Sequence, residues 1–372
     1  MKIALVNSSL CNGRGSDLVV RDLAQRLSLR HDVTIFAVFG ADLDAPGCHV
    51  VAPACRRSSL WSRLRALWSL SRRLRRDSDA FDIVNCHHSL LALALPKRRL
   101  LVTYHGYRGR LHFGLGRRVA GAISWFVRRW LVRPSLRRAR SVSVVSHSLL
   151  QEAIAARPAL PPRVIYNGVD FSARESAADR CGEYFLYVGR IDADKSVGDL
   201  LALYLSADCQ VPLYIAGDGA QKKELAQKYG DERIRFLGPQ PRTALPQLYR
   251  DAVAFITASS YETFCLPVIE AAAFGKPSLG PQKGALPEVI DHGQTGFLYR
   301  SDEEFRRYLK ALAALPEAAR LAMAAACRAR AGAYSWACKA EEYEDFYADT
   351  LKAHAPLRRS RRPRPEESKR CH

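Results

Sequence analysis

Residues 1–30, MKIALVNSSLCNGRGSDLVVRDLAQRLSLR, decide the fold. MKIALVNSS is a short apolar run that ends in polar residues. CNGRGSD is a glycine-bearing turn, and LVVRDLAQRLSLR then carries apolar residues at helical spacing. Strand, glycine turn and helix in that order open a doubly wound α/β domain. The next strand is DVTIFAV, and others follow at FDIVNC (81–86), RLLVTYH (99–105) and SVSVVS (141–146), with VIYNGVD (164–170) ending the series.

A second series begins at YFLYVGR (184–190). It runs through PLYIAGDG (212–219), IRFLG (234–238), AVAFITAS (252–259) and PSLGP (277–281), with helical segments between. Two successive parallel α/β units of single-domain size result. The boundary falls in SARESAADRCG, which is small, polar and poor in apolar residues. The predicted units are an N-terminal domain at 1–170 and a second at 183–334. A closing helix at 335–353 carries Trp336, Tyr343, Phe346 and Tyr347. The tail at 354–372 is basic and lacks a core-forming pattern, which predicts disorder.

The chain has 372 residues and a net charge of +20, unevenly placed. Residues 1–170 hold 28 Lys/Arg against 10 Asp/Glu, whereas residues 171–357 hold 22 against 25. The N-terminal half therefore suits an anionic partner or surface, with a generally arginine-rich composition as the bland alternative. No zinc spacing, RNP-type segment or recognition helix accompanies the charge, which argues against nucleic acid. No apolar run approaches the ~18–20 residues of a membrane span. The N-terminus leads into a glycine turn rather than a small-residue cleavage site, so no signal peptide is expected. Ten cysteines without a C-x-x-C pair fit a reducing cytosol. His87 and His88 read as structural or polar-cleft residues.

Several stretches carry chemistry. Gly15 lies in the first strand-to-helix turn, where backbone N–H groups and the helix dipole favour an anion. Arg190 and Lys195 follow the strand YFLYVGR at its carboxyl end and suit a diphosphate, or are two solvated surface charges. Asp192 and Asp194 form a D-x-D pair that a divalent metal can use. D-x-D also occurs at 42–44 and 77–79, and Lys195 beside the pair opposes a cation, so charge neutralisation without metal is preferred. In YETFCLPVIE (261–270), Pro267 suits the first turn of a helix. Glu262 then falls in the loop and Glu270 in the helix's first turn. A carboxylate can take both hydrogens of a vicinal diol, and the N–H groups of residues 264–266 face the helix mouth. A capping glutamate and an exposed loop glutamate remain the alternative for this pair.

Taken together, TYHG (103–106), VIYNGVD (164–170), YVGRIDADK (187–195), YIAGDG (214–219), FLG (236–238), SSYETFCLPVIEAAAFGKP (259–277) and GALPEVIDHGQTGFLY (284–299) resemble a family 4 glycosyltransferase of the GT-B fold. The ordered set, with its E-x7-E segment, covers nearly the whole chain to about residue 352. The resemblance implies two Rossmann-like domains facing each other across a cleft. It also implies retaining transfer from a nucleotide-sugar co-substrate, UDP- or GDP-linked, generally without metal or other cofactor. Glu270 matches the glutamate that holds the ribose hydroxyls, and Glu262 the one that contacts the transferred sugar. Arg190 and Lys195 match the diphosphate pair, Gly15 the second glycine of the N-terminal turn, and His105 the histidine near the reacting centre. Gly217, Thr263, Phe264, Cys265 and Leu266 fall in donor-binding segments. Retention by front-face attack, with the departing phosphate taking the acceptor proton, needs no second base. Four glycines usual in the family are replaced, by Arg14, Ser196, Thr263 and Cys265. These changes bear on donor choice, and a noncatalytic nucleotide-sugar sensor on the same fold is the alternative they leave open.

The N-terminal domain meets the acceptor in this fold. CRRSSLWSRLRALWSLSRRLRR (55–76) holds eight arginines and no acid. Leu60, Leu64, Leu67 and Leu74 share a helical face, with Trp61 and Trp68 beside it. That pattern predicts an interfacial membrane helix, or else a core-packing helix with a solvated arginine face. RRVAGAISWFVRRWLVR (117–133) repeats the composition. Trp61, Arg65, Trp68, Arg72, Trp125, Arg128, Arg129 and Trp130 are thus the expected membrane or acceptor surface. The expected setting is a peripheral enzyme on the cytoplasmic leaflet that serves a glycan or lipid-linked acceptor.

Overall fold

The computed structural model describes residues 1–10, 15–38, 40, 44–52, 60–77, 80–107, 126–170, 182–230 and 232–353. The interdomain stretch 171–181, the tail from 354, Arg14, Trp125 and the Trp61 side chain lie outside the described residues.

Two parallel sheets organise the chain. The first has seven strands: β1 (Lys2–Asn7), β2 (Asp32–Ala37), β3 (His49–Val51), β4 (Ile83–Cys86), β5 (Leu100–Tyr104), β6 (Ser141–Val144) and β7 (Arg163–Val164). Their order is β3-β2-β1-β4-β5-β6-β7. The second has six: β8 (Tyr184–Val188), β9 (Leu213–Ala216), β10 (Ile234–Gly238), β11 (Ala252–Ile256), β12 (Ser278–Pro281) and β13 (Gly296–Tyr299). Their order is β10-β9-β8-β11-β12-β13. Both orders are doubly wound and reverse at their first strand, at β1/β4 and at β8/β11. The edge strands β3 and β13 were not anticipated.

The inner strands are near-continuous apolar runs because helices cover both faces of a parallel sheet. In the first sheet, Ile3, Leu5, Ile35, Ile83 and Leu101 pack to one side, and Ala4, Val6, Phe36, Val84 and Val102 to the other. The helix Gly15–Leu27 covers the former side together with the C-terminal helix Trp336–Ala353. That last helix follows the second sheet in sequence but packs on the first. Its Trp336, Tyr343, Phe346 and Tyr347 are buried there. Asn85 Nδ2 donates to Tyr347 Oη at 2.8 Å, and Thr350 Oγ1 donates to Ser141 Oγ at 2.9 Å. Glu344 meets Arg30 at 3.1 Å and His31 at 3.0 Å.

The leucine-rich segment forms the helix Leu60–Arg76. Ala66, Leu70 and Leu74 face the sheet core, so the described part of this apolar face packs inward; the Leu60, Leu64 and Leu67 side chains lie outside the described residues. Trp68 is 64% exposed, with Arg65 and Arg72 on the exposed side and the Arg72 guanidinium 5.3 Å from its ring centroid. On the same side of the sheet, Phe126 and Trp130 are 55% and 57% exposed, and Arg129 lies over Trp130. Arg128 is partly exposed and held in place: its guanidinium donates to the Tyr107 carbonyl and pairs with Glu152 at 3.5 Å.

The two crossings between the sheets lie side by side, with Val169 bridged to Ser335. A Cβ on Gly168 would sit 2.4 Å from Trp336 Cδ2. Gly168→Ala is therefore expected to lose about 1–3 kcal/mol of stability through overpacking, as read by chemical denaturation.

Candidate active site

The site forms where the carboxyl ends of the two sheets face each other, at their reversal points, which is where open α/β sheets bind ligands. On the first sheet, β1 ends at Asn7. Asn7 Nδ2 and Ser9 Oγ both donate to Asp17, at 2.9 and 2.8 Å, and Asp17 is fully buried. This anchors the start of the helix Gly15–Leu27 to the strand end. The turn before Gly15 lies outside the described residues. A Cβ on Gly15 would lie 3.6 Å from Leu266 Cδ1, so the helix start meets the E-x7-E segment across the cleft.

His105 follows β5 directly. Its Nε2 lies 3.1 Å from His87 Nδ1, which follows β4. Burial, then the nearby His88, pushes His105 down to about 4. The ring is thus neutral at neutral pH. The adjacent Gly106 has φ +85, and a Cβ there would come within 2.6 Å of Thr263 Cγ2. Thr263 thus occupies space beside the histidine loop.

On the second sheet, β8 leads into Arg190, Asp192, Asp194 and Lys195. Arg190 bonds Asp192 and also Asp194, the latter at 2.7 Å, so both D-x-D carboxylates hold the arginine. Asp192 also accepts from the Ala220 N–H at 3.0 Å. Gly217, after β9, lies so close to the Gly189 carbonyl that a side chain there has no room. Lys195 Nζ reaches both oxygens of Glu262, at 2.8 and 2.9 Å. Burial opposes the charge on Lys195, but Glu262, Cys265 and Asp194 outweigh it and raise the ammonium above its ordinary range.

The helix Leu266–Ala273 begins with Pro267 in its first turn, as anticipated. Glu270 is its fifth residue, just beyond the first turn where it was expected. Tyr249 Oη donates to Glu270 Oε2 at 2.7 Å, and Arg242 lies 4.0 Å from the other oxygen. Burial raises the Glu270 carboxyl above its ordinary range; the Tyr249 bond and Arg242 oppose this, and Asp22 adds to it. Arg242 also donates to Asp22 of the N-terminal domain at 3.3 Å. Leu18, Asp22, Gly168, Arg242, Leu266 and Glu270 line the crevice between the domains. The Phe264, Tyr166 and Tyr334 rings form a three-way cluster, with Phe264 at centroid distances of 6.0 and 5.7 Å from the two tyrosines.

The structure thus brings Lys195 against Glu262, and His105 beside Thr263, at one cleft, with Gly15, Leu266 and Glu270 along it. Arg190 is turned onto the D-x-D carboxylates. Asp17, Asp22, Arg242, Tyr249 and Glu288 went unread in the sequence. Glu288 accepts from the His147 and Ser148 N–H groups, at 2.7 and 2.8 Å, and from Tyr166 Oη at 3.0 Å, which joins the domains. Its GALPEV context was visible; its partners, more than a hundred residues away, were not.

Two parallel, doubly wound domains with opposed carboxyl ends, and carboxylates beside cations between them, define a GT-B-type architecture. Residues 13–173 match the model for Glycosyltransferase Family 4, and residues 170–330 that for Glycosyl transferases group 1. The chain belongs to the family 4 glycosyltransferases. It is 34% identical over 239 residues to a glycogen synthase of Mycobacterium tuberculosis, covering 58% of this chain and 55% of that protein. It is 34% identical over 112 residues to a GDP-mannose-dependent alpha-mannosyltransferase of Corynebacterium glutamicum, covering 30% and 26%. The chain spans about half or less of the length of the curated relatives it matches. Among solved structures it resembles a sucrose-phosphate synthase from Thermosynechococcus elongatus, with TM-score 0.77 and 20% identity over 95% of this chain and 100% of the other. Anabaena Alr3699/HepE in complex with UDP-glucose gives 0.71 and 19%, again over 95% and 100%.

Two of the residues expected to stand where the family has glycine have a glycine-like backbone. Cys265 has φ +69 and Ser196 has φ +51, each immediately before a helix. An L-residue in this region costs about 1–2 kcal/mol, against the ~0.5–1 kcal/mol of extra chain entropy that glycine loses on folding. Cys265→Gly and Ser196→Gly are each expected to raise stability by up to about 1 kcal/mol, seen as a higher Tm in calorimetry.

Proposed function

We propose that the chain is a retaining glycosyltransferase that moves a hexosyl-type sugar from a UDP- or GDP-linked donor, without a metal, to a glycan or lipid-linked acceptor. The observation that carries this is the Lys195–Glu262 pair at the cleft, with His105 and Glu270 on its walls. Glu270 offers its carboxylate to a ribose diol once the diol displaces the Tyr249 bond. Lys195 trades Glu262 for the diphosphate, which frees Glu262 for the sugar hydroxyls. Arg190 adds a second cation to the same anion, and the departing phosphate accepts the proton of the incoming hydroxyl. UDP-glucose in the similar Anabaena protein and GDP-mannose in the name of the Corynebacterium relative support both donor classes. The likeness to a lipopolysaccharide outer core galactosyltransferase supports cell-surface polysaccharide, lipopolysaccharide or glycolipid synthesis as the setting.

Glu262→Ala and His105→Ala are each expected to lower kcat for sugar transfer at least about 10²-fold. Binding of a nucleotide-sugar with no turnover in the wild type would instead identify a sensor.

The second element of the proposal is peripheral attachment to an anionic leaflet, on the cytoplasmic face, through the basic face of the N-terminal domain. Among the described residues no helix is long and apolar enough to cross a membrane. Exposed Trp68 and Trp130, each beside an arginine, suit the headgroup boundary. Sedimentation with anionic vesicles at low salt is expected to exceed that with neutral vesicles, and Trp68→Ala/Trp130→Ala to reduce it. Equal sedimentation with both vesicle types rejects this element.

A further inference from the structure

His87 has no part in the chemistry described above, yet among the described residues it makes the one side-chain hydrogen bond found for His105. His87 is 3% exposed and sits at the carboxyl end of β4, beside β5. Cys86 Sγ bonds to the His88 carbonyl at 3.2 Å, which pins the turn that carries it. The Tyr343 ring also lies near it, 6.3 Å between centroids. Its Nδ1 is 3.1 Å from His105 Nε2, and its Nε2 is buried without a partner among the described residues.

Both rings are neutral, since burial, with the neighbouring histidine adding to it, holds each below its ordinary range. One proton therefore lies between them, and it has two possible origins. If His105 Nε2–H donates, His87 must carry its own proton on Nε2, as a buried N–H with no acceptor. Orphaned buried N–H groups are rare, and each costs about 1–3 kcal/mol. If His87 Nδ1–H donates, only a bare ring lone pair is left buried. His105 then accepts at Nε2 and carries its proton on Nδ1.

We propose that His87 is a positioning residue that fixes the tautomer of His105, leaving the Nδ1–H of His105 as the donor available to the sugar or its leaving oxygen. The bond made by one imidazole nitrogen sets the state of the other. This rests on the reading of His105 as a site residue, but the tautomer itself does not depend on activity.

The test is nitrogen NMR of the full-length protein labelled with 15N-histidine at neutral pH, with the His105 signals assigned by their loss in His105→Ala. The expected wild-type spectrum has a protonated Nδ1 and an unprotonated Nε2 at His105. His87→Leu is expected to shift His105 toward a mixture of tautomers. His87→Asn, whose Nδ2–H can occupy the Nδ1 position, should restore the wild-type pattern. In transfer assays His87→Leu should lower kcat about tenfold with little change in donor KM, the mark of a group acting in the transition state. A wild-type His105 protonated on Nε2, or a pattern unchanged in His87→Leu, overturns the proposal. The wild-type measurement stands even if a variant fails to fold. Undiminished transfer in His105→Ala would refute the catalytic reading of His105 instead, which separates the two failures.

Discussion

The contact between Trp336 and Gly168 holds the architecture together. The chain leaves the first sheet at Gly168 and returns to it at Trp336, and the indole lies where any side chain on residue 168 would be. Because the outgoing and returning strands are bridged at Val169 and Ser335, the second domain is tethered at two adjacent points. The carboxyl ends of the two sheets are held opposite each other, and the crevice next to Gly168 is the one that Glu270 and Arg242 line. Stability and site geometry thus share one packing contact.

The cleft is an array of charges that already have partners. Lys195 grips Glu262, Arg190 grips Asp192 and Asp194, and Arg242 lies between Asp22 and Glu270. Buried charge without a partner is costly, and each of these charges has one. On the proposed function, ligand entry is an exchange of partners, not the creation of new ones: a diphosphate would compete with Glu262 for Lys195, and a diol with Tyr249 for Glu270.

Much of the fold was legible because a parallel sheet buried on both faces writes itself as apolar runs. IALVN, VTIFA and FLYV need no neighbours to be recognised. Glu262, Glu270, Lys195 and His105 could be picked out as candidates from ordered motifs, whereas the links of Arg242 to Asp22 and of Glu288 to the His147 and Ser148 N–H groups could not, because each crosses between the domains. The positive φ of Cys265 and Ser196 was hidden for a different reason: neither residue type signals a left-handed backbone. The leucines of the helix Leu60–Arg76 show the limit of periodicity, which identifies an apolar face without saying whether sheet or lipid covers it.

Glu288 carries a consequence for motion. The short turn His147–Leu149 and the helix Leu150–Ala155 belong to the first domain, and Ser146 before them supplies no side-chain cap. Two N–H groups at this start are satisfied by a carboxylate from the second domain. Separation of the domains therefore uncaps a helix, and the order of its first turn becomes a local gauge of whether the cleft is shut.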